Sequence, residues 1–141
     1  TKLNEYGEVL LEKYIPGREI QVAILENKVL GAIELRPTRK FYDYQAKYNP
    51  KARTEHIIPV QIPRKKYQEV TKIALKAHKI LKCRGVTRSD FRYYKNSFYL
   101  LETNTQPGMT SLSLVPEIAK FNNITFKNLI EKILRDASTN K

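Results

Sequence analysis

The chain has 141 residues, 41% hydrophobic and 28% charged, the balance of a globular domain with its own core, which excludes disorder as the organising principle. Its formal charge of +12 admits nucleic acid, a membrane surface or a polyphosphate ligand, but the 26 Lys and Arg are spread along the whole length, the habit of a solvated surface. No apolar run is long enough to span a bilayer and the opening "TKLNEYGEVLLEKY" lacks a signal pattern, so a soluble, non-secreted, cytoplasmic chain is expected; a single cysteine, Cys83, excludes an internal disulfide and fits a reducing compartment.

In chain order, "EVLLEKYI", "REIQVAIL" and "KVLGAIEL" read as strands, broken at Pro16-Gly17 and Glu26-Asn27. "LENK" has the length of a tight hairpin, so the second and third runs are predicted antiparallel neighbours. Residues 41 to 63 are rich in Tyr, Lys and Pro, with "EHIIPV" as a strand and "YNPKART" as a polar loop of the kind that serves function in compact domains. From 64 to 82, Tyr67, Val70, Ile73, Ala74, Ala77, Ile80 and Leu81 recur at helical spacing. "RGVTRSDFRYY" and "SFYLLETN" read as two strands joined near Lys95 and Asn96, with Phe98 to Leu101 expected in the core. "SLVPEIAKFNN" predicts a short helix, and "TFKNLIEKILRDAS" an amphipathic one capped by Thr125. His56 and His78 have no partner residue near them in sequence and are assigned ordinary structural roles; Cys83, flanked by Lys82 and Arg84, is assigned buried packing over a reactive thiol.

The second hairpin concentrates polar groups. Alternation puts Arg88 and Asp90 on one face of their strand, and Glu102 and Asn104 on one face of the next. A regular ladder from a two-residue turn at Lys95 and Asn96 would oppose Asp90 to Leu101 and send Glu102 to the other face. An odd-length turn, or a bulge with the same effect, would bring Asp90 opposite Glu102, and that register is the prediction. Two facing carboxylates need a cation between them, and with an amide they form the hard oxygen set that magnesium takes beside phosphates. Arg88 would face a phosphoryl oxygen or a developing oxyanion. On pattern alone, an Arg-Asp-Glu ion-pair network fits equally well.

"LEKYIPGREIQVAIL", "FYDYQAKY", "CRGVTRSDF" and "YLLETNTQPGMTSLSLVP" stand in the order and spacing of D-alanine-D-alanine ligases. Over nearly its whole length the chain resembles the C-terminal part of these ATP-grasp enzymes. The resemblance implies an α+β fold, a largely antiparallel sheet flanked by helices, with an N-terminal domain and most of a central domain lying outside this chain. It also implies ATP and two magnesium (or manganese) ions as cofactors. Glu12, Lys13 and Ile15 would lie at the adenine and Glu19 at the ribose, since a carboxylate can accept two hydrogen bonds from a diol.

In "FYDYQAKY" the family has a mobile loop, here about residues 41 to 54, which closes over the phosphates; Lys47 and Tyr48 match its Lys and Tyr. Tyr48 favours amide formation over D-alanyl-D-lactate synthesis. Asp90, Glu102 and Asn104 match the metal ligands and Arg88 the transition-state arginine. Thr87 replaces the smaller residue of many relatives. Gly108, Ser113 and the backbone of Leu114 match the segment that holds the second D-alanine; Gly108 allows close approach, and a helix start suits a carboxylate.

The implied activity is ATP-dependent ligation of two D-alanines through an acyl phosphate, for peptidoglycan synthesis. D-alanine is then the partner, with no nucleic acid or membrane involved, and the full-length enzyme is a homodimer. The 141-residue piece is expected to be inactive by itself. Two alternatives stay open: another ATP-grasp amino acid or depsipeptide ligase, and a basic polyanion-binding module. Without the family context, the stretch around Glu12 is an edge strand with surface charges, Phe41, Tyr42 and Tyr44 are packing, and "PGMTSLS" is a turn and helix cap.

Overall fold

Two tight turns build the sheet. Glu26 and Asn27 have φ of 50° and 61°, the backbone of a two-residue turn whose twist matches the strands it joins, so β1 (Arg18–Leu25) folds straight back as β2 (Lys28–Pro37). Lys95 and Asn96 repeat that geometry, with φ of 47° and 63°, between β4 (Val86–Tyr94) and β5 (Ser97–Asn104). With β3 (Thr54–Ile57) on the far side of β2, the order is β3-β2-β1-β4-β5, and every neighbouring pair is antiparallel. This computed structural model of the chain describes residues 7, 9–37 and 54–137.

Strand alternation gives each face its own core. On one face Ile20, Val22, Ile24, Ala32 and Phe91 pack against Val70 and Ala74 of the helix α1 (Arg64–Ile80). On the other, Ala23, Ile33 and Leu35 meet Leu114, Val115, Ile118 and Ala119 of α2 (Leu114–Phe121), with Leu129 of α3 (Phe126–Asp136) behind them. Each fully buried Ile, Leu or Phe contributes about 1.5–3 kcal/mol relative to an exposed one. Beyond α2, which packs over β2, the same face of β4 and β5 carries Arg88, Asp90, Arg92, Glu102 and Asn104. Among the described residues no helix is long and apolar enough to cross a membrane.

The helix ends follow from local chemistry. Thr125 caps α3 by accepting from the Asn128 backbone N–H at 3.2 Å. After α1, Lys82 turns left-handed at φ 52°, while the N–H groups of Cys83 and Lys82 return to the carbonyls of His78 and Lys79, closing the helix with a paired C-terminal motif. His78, fully buried, faces the Thr87 hydroxyl with its Nδ1 at 2.8 Å.

A buried carboxylate ties three segments together. Arg18 grips Glu34 with Nε to Oε1 at 2.8 Å and Nη2 to Oε2 at 2.5 Å, and also donates to the Gln61 carbonyl at 2.9 Å. Arg36 adds a bond to Oε1 at 3.0 Å. Burial pushes the Glu34 carboxyl up, but the two guanidinium groups outweigh it and hold it below the usual carboxylate range.

Two sequence expectations are corrected. "EVLLEKYI" is not a strand in its described part, residues 9–15: β1 already has β2 and β4 on its two edges, so this run cannot pair beside the strand it leads into. Phe98 to Leu101 do not form a buried strand, for Tyr99, Leu100 and Leu101 are 40%, 41% and 50% exposed. β5 is the sheet's edge, and of these four residues only Phe98 packs inward, stacked on Tyr93 with ring centroids 4.5 Å apart. Apolar content does not distinguish an edge strand from a central one.

Candidate active site

The site begins with one extra residue. From the Lys95-Asn96 turn the ladder runs regularly through Phe91 opposite Leu100, then shifts so that Asp90 faces Glu102 and Arg88 faces Asn104. Leu101 is the unpaired residue of this bulge. The turn is even and the bulge restores the predicted register, so Arg88, Asp90, Glu102 and Asn104 share one patch of one face.

Within that patch Arg88 grips Asp90 in a two-pronged bond, Nε to Oδ1 at 2.8 Å and Nη2 to Oδ2 at 3.0 Å, and approaches Glu102 Oε1 at 3.8 Å. The ion-pair network left open by the sequence is therefore present. Asp90 is largely enclosed, whereas the Glu102 side chain is 62% exposed. Asn104 accepts from the Gln106 N–H at 2.9 Å, which fixes its amide at the strand end and leaves Oδ1 a second lone pair.

Among the described residues no group of three or more His, Cys, Asp or Glu is gathered as a metal cage. Two carboxylates and an amide are too few oxygens for an all-protein site, but they fit a cation shared with phosphate oxygens and water.

Toward β1 the polar row continues. Direct pairing of β1 with β4 places Glu19 beside Arg92 and Gln21 beside Asp90. Arg92 Nη2 lies 3.3 Å from Glu19 Oε2, and Gln21 donates to Glu19 Oε1 at 3.4 Å. Gly17 makes this approach possible: its φ is 114°, and a Cβ there would lie 2.4 Å from the Tyr93 carbonyl oxygen. Sequence reading passed over Gln21 and Arg92, although their signal was available. Each continues the two-residue alternation of a residue already singled out, Gln21 from Glu19 and Arg92 from Arg88 and Asp90.

Glu12 and Lys13 are exposed and Ile15 is half-buried, on the extended segment leading into Gly17. The described contacts do not join them to the Asp90 patch. Gly108 backs closely onto Ser113, whose Oγ would lie 2.8 Å from a Cβ there. Ser113 is the N-cap of α2, yet its hydroxyl makes no capping bond; it accepts instead from the Thr110 N–H at 2.9 Å. Lys47 and Tyr48, with Phe41, Tyr42 and Tyr44, lie outside the described residues. A hollow lined by Ser111, Pro116, Glu117, Lys120, Thr125 and Phe126 contains none of the site carboxylates.

Residues 2–135 match the family model described as D-ala D-ala ligase C-terminus. The chain belongs to this family. It is 63% identical to a D-alanine-D-alanine ligase of Pelagibacter ubique over 139 residues, covering 99% of this chain and 46% of that protein. It is 48% identical to a D-alanine-D-alanine ligase of Geotalea uraniireducens over 132 residues, 93% of this chain and 42% of the relative. The chain thus spans less than half the length of these ligases. Among solved structures, D-alanine-D-alanine ligase from Bacillus anthracis complexed with ATP superposes with a TM-score of 0.75 at 31% identity, covering 89% of this chain and 39% of that one. VanG D-Ala:D-Ser ligase from Enterococcus faecalis gives a TM-score of 0.71 at 27% identity, covering 87% and 37%. The antiparallel α+β ligase fold expected from the sequence is the fold found.

Proposed function

We propose that this chain supplies the nucleotide-, metal- and second-substrate-binding part of an enzyme that joins two D-alanines at the expense of ATP. The observation that carries this reading is the bulge-set patch of Arg88, Asp90, Glu102 and Asn104 in a chain of the D-alanine-D-alanine ligase family. Asp90, Glu102 and Asn104 are the residues that would hold magnesium or manganese, and two ions are part of the proposal. Bound there, the metal neutralises charge on the transferring phosphoryl group.

The other roles follow from position and donor chemistry. Glu19 offers its carboxylate to the ribose diol, with Glu12, Lys13 and Ile15 on the adenine side. Arg88, held by Asp90, is a fixed cation for the oxyanion that forms when an amine attacks an acyl phosphate. Lys47 and Tyr48 would cover the phosphates and keep water from that intermediate. Gly108, Ser113 and the backbone of Leu114, at the uncapped start of α2, would receive the carboxylate of the second D-alanine. The product would feed peptidoglycan synthesis in the cytoplasm, and the full-length enzyme would be a homodimer without nucleic acid or membrane partners.

A second reading changes only the second substrate. A D-Ala:D-Ser ligase shares the fold, so the architecture by itself does not select D-alanine.

The test is to join this chain to the upstream portion of the Pelagibacter relative and assay ATP-dependent dipeptide formation. D-alanyl-D-alanine formation that is lost in Asp90→Ala supports the proposal, while a mixed dipeptide formed preferentially from D-serine supports the second reading. Turnover undiminished in Asp90→Ala contradicts the metal assignment. The 141-residue chain by itself is predicted to form no dipeptide.

A further inference from the structure

Glu19 does not face its ligand as a freely rotating carboxylate. Arg92 reaches Oε2 from β4 at 3.3 Å, and Gln21 donates to Oε1 from two residues along β1 at 3.4 Å. Arg92 is anchored in turn, for its Nη1 donates to the Gly17 carbonyl at 3.2 Å. An ion pair at one oxygen and a hydrogen bond at the other restrain the plane of the carboxylate as well as its position.

The Gln21 amide carries a cost that a packing role does not explain. Its side chain is 2% exposed, and Oε1 is sealed from solvent with no hydrogen-bond partner. Turning the amide over would set that oxygen against the Glu19 carboxylate, acceptor to acceptor, so the orphan oxygen is the consequence of aiming the N–H₂ at Glu19. A leucine would fill the same space with no buried polar atom to desolvate. Sealed as it is, Oε1 is not a ligand contact, and the influence of Gln21 runs through Glu19.

We infer that Gln21 and Arg92 are positioning residues that fix the Glu19 carboxylate to read a vicinal diol, making the site selective for a ribonucleotide over its 2′-deoxy counterpart. This rests on the nucleotide reading given above. A carboxylate held in one plane can accept from both hydroxyls of a diol at once. A 2′-deoxy sugar offers one donor and leaves the other site partly desolvated and unpaired.

The experiment is a titration of the chain with ATP and with 2′-deoxy-ATP to millimolar concentrations in magnesium, followed by backbone amide NMR shifts, for wild type, Gln21→Leu and Arg92→Met. Wild type is expected to bind ATP about tenfold more tightly than 2′-deoxy-ATP, the worth of one charge-assisted hydrogen bond. In both variants that ratio should fall below about threefold while spectra outside the site stay unchanged. A ratio preserved in the variants, or a wild type that binds the two nucleotides equally, overturns the inference and leaves nucleotide binding standing. A wild type that binds neither removes the nucleotide reading, and the inference with it. Arg92→Met, on a partly exposed side chain, keeps the question open to test if Gln21→Leu does not fold.

Discussion

Asp90 stands directly across the β4–β5 ladder from Glu102, and it does so because Leu101 is left unpaired. Without that residue's bulge, the two-residue turn would carry Glu102 opposite Ser89 and onto the apolar face beneath α1. A single backbone irregularity thus decides whether two acidic side chains form a patch or are divided by the sheet.

Engineered disulfides report this register. In a Cys83→Ser background, Asp90→Cys with Glu102→Cys should oxidise readily, since directly opposed residues sit about 4.5–5.5 Å apart at Cα, within disulfide range. Ser89→Cys with Glu102→Cys should not. Thiol titration after mild oxidation distinguishes the pairs, and the reverse result would mean a ladder without the bulge.

Glu34 is 1% exposed and carries both Arg18 and Arg36. Glu34→Gln should cost roughly 1–3 kcal/mol, the value of charge-assisted bonds to a buried group, moderated because both arginines can turn toward water. The carboxyl is held below its ordinary value in the folded state, so its stabilisation is complete above the unfolded pKa and is lost as pH falls through the folded one. Urea denaturation should show a weaker acid dependence in Glu34→Gln than in wild type.

His78 acts on pH from another direction. Burial first, and Lys79 second, hold its imidazole below the ordinary histidine value. The unfolded chain then takes up a proton that the folded one refuses. This contribution is intact above about pH 6.5 and is lost as pH falls from there toward the depressed folded pKa. Urea midpoints measured between pH 7 and 5 should fall more steeply for wild type than for His78→Gln.

Gly108→Ala would press a Cβ to 2.8 Å from Ser113 Oγ, displacing the hydroxyl from the Thr110 N–H. The expected cost is about 0.5–1.5 kcal/mol of stability, the worth of the hydrogen bond lost as the Ser113 hydroxyl turns away. In the enzyme completed with its upstream portion, the KM for the second D-alanine should rise more than that for ATP. Equal effects on both would argue against a second-substrate role for this turn.

The parts of the fold governed by short-range patterns were legible in the sequence: the two tight hairpins, the helix from 64, the Thr125 cap, and the need for a register shift that unites Asp90 with Glu102. Features set by position in the finished sheet were not. "EVLLEKYI" and "FYLL" carry enough apolar side chains to read as strands of a core, but both positions beside β1 are taken by β2 and β4, and the second run lies at the sheet's edge. Gln21 sits in the run "IQVAIL", where a polar residue reads as an interruption until the β1–β4 pairing sets it between Glu19 and Asp90. Family motifs supplied the chemical roles, which no periodicity contains.

The acidic patch is predicted to take a divalent cation together with ATP. A calorimetric titration of ATP into the chain with and without magnesium, for wild type and Asp90→Asn, measures this. Saturable binding that requires magnesium in wild type and weakens at least about tenfold in Asp90→Asn, ~1.4 kcal/mol, is the predicted result. Binding that is indifferent to magnesium and to Asp90→Asn, and that falls steeply with added salt, would contradict it and point to a polyanion-binding surface.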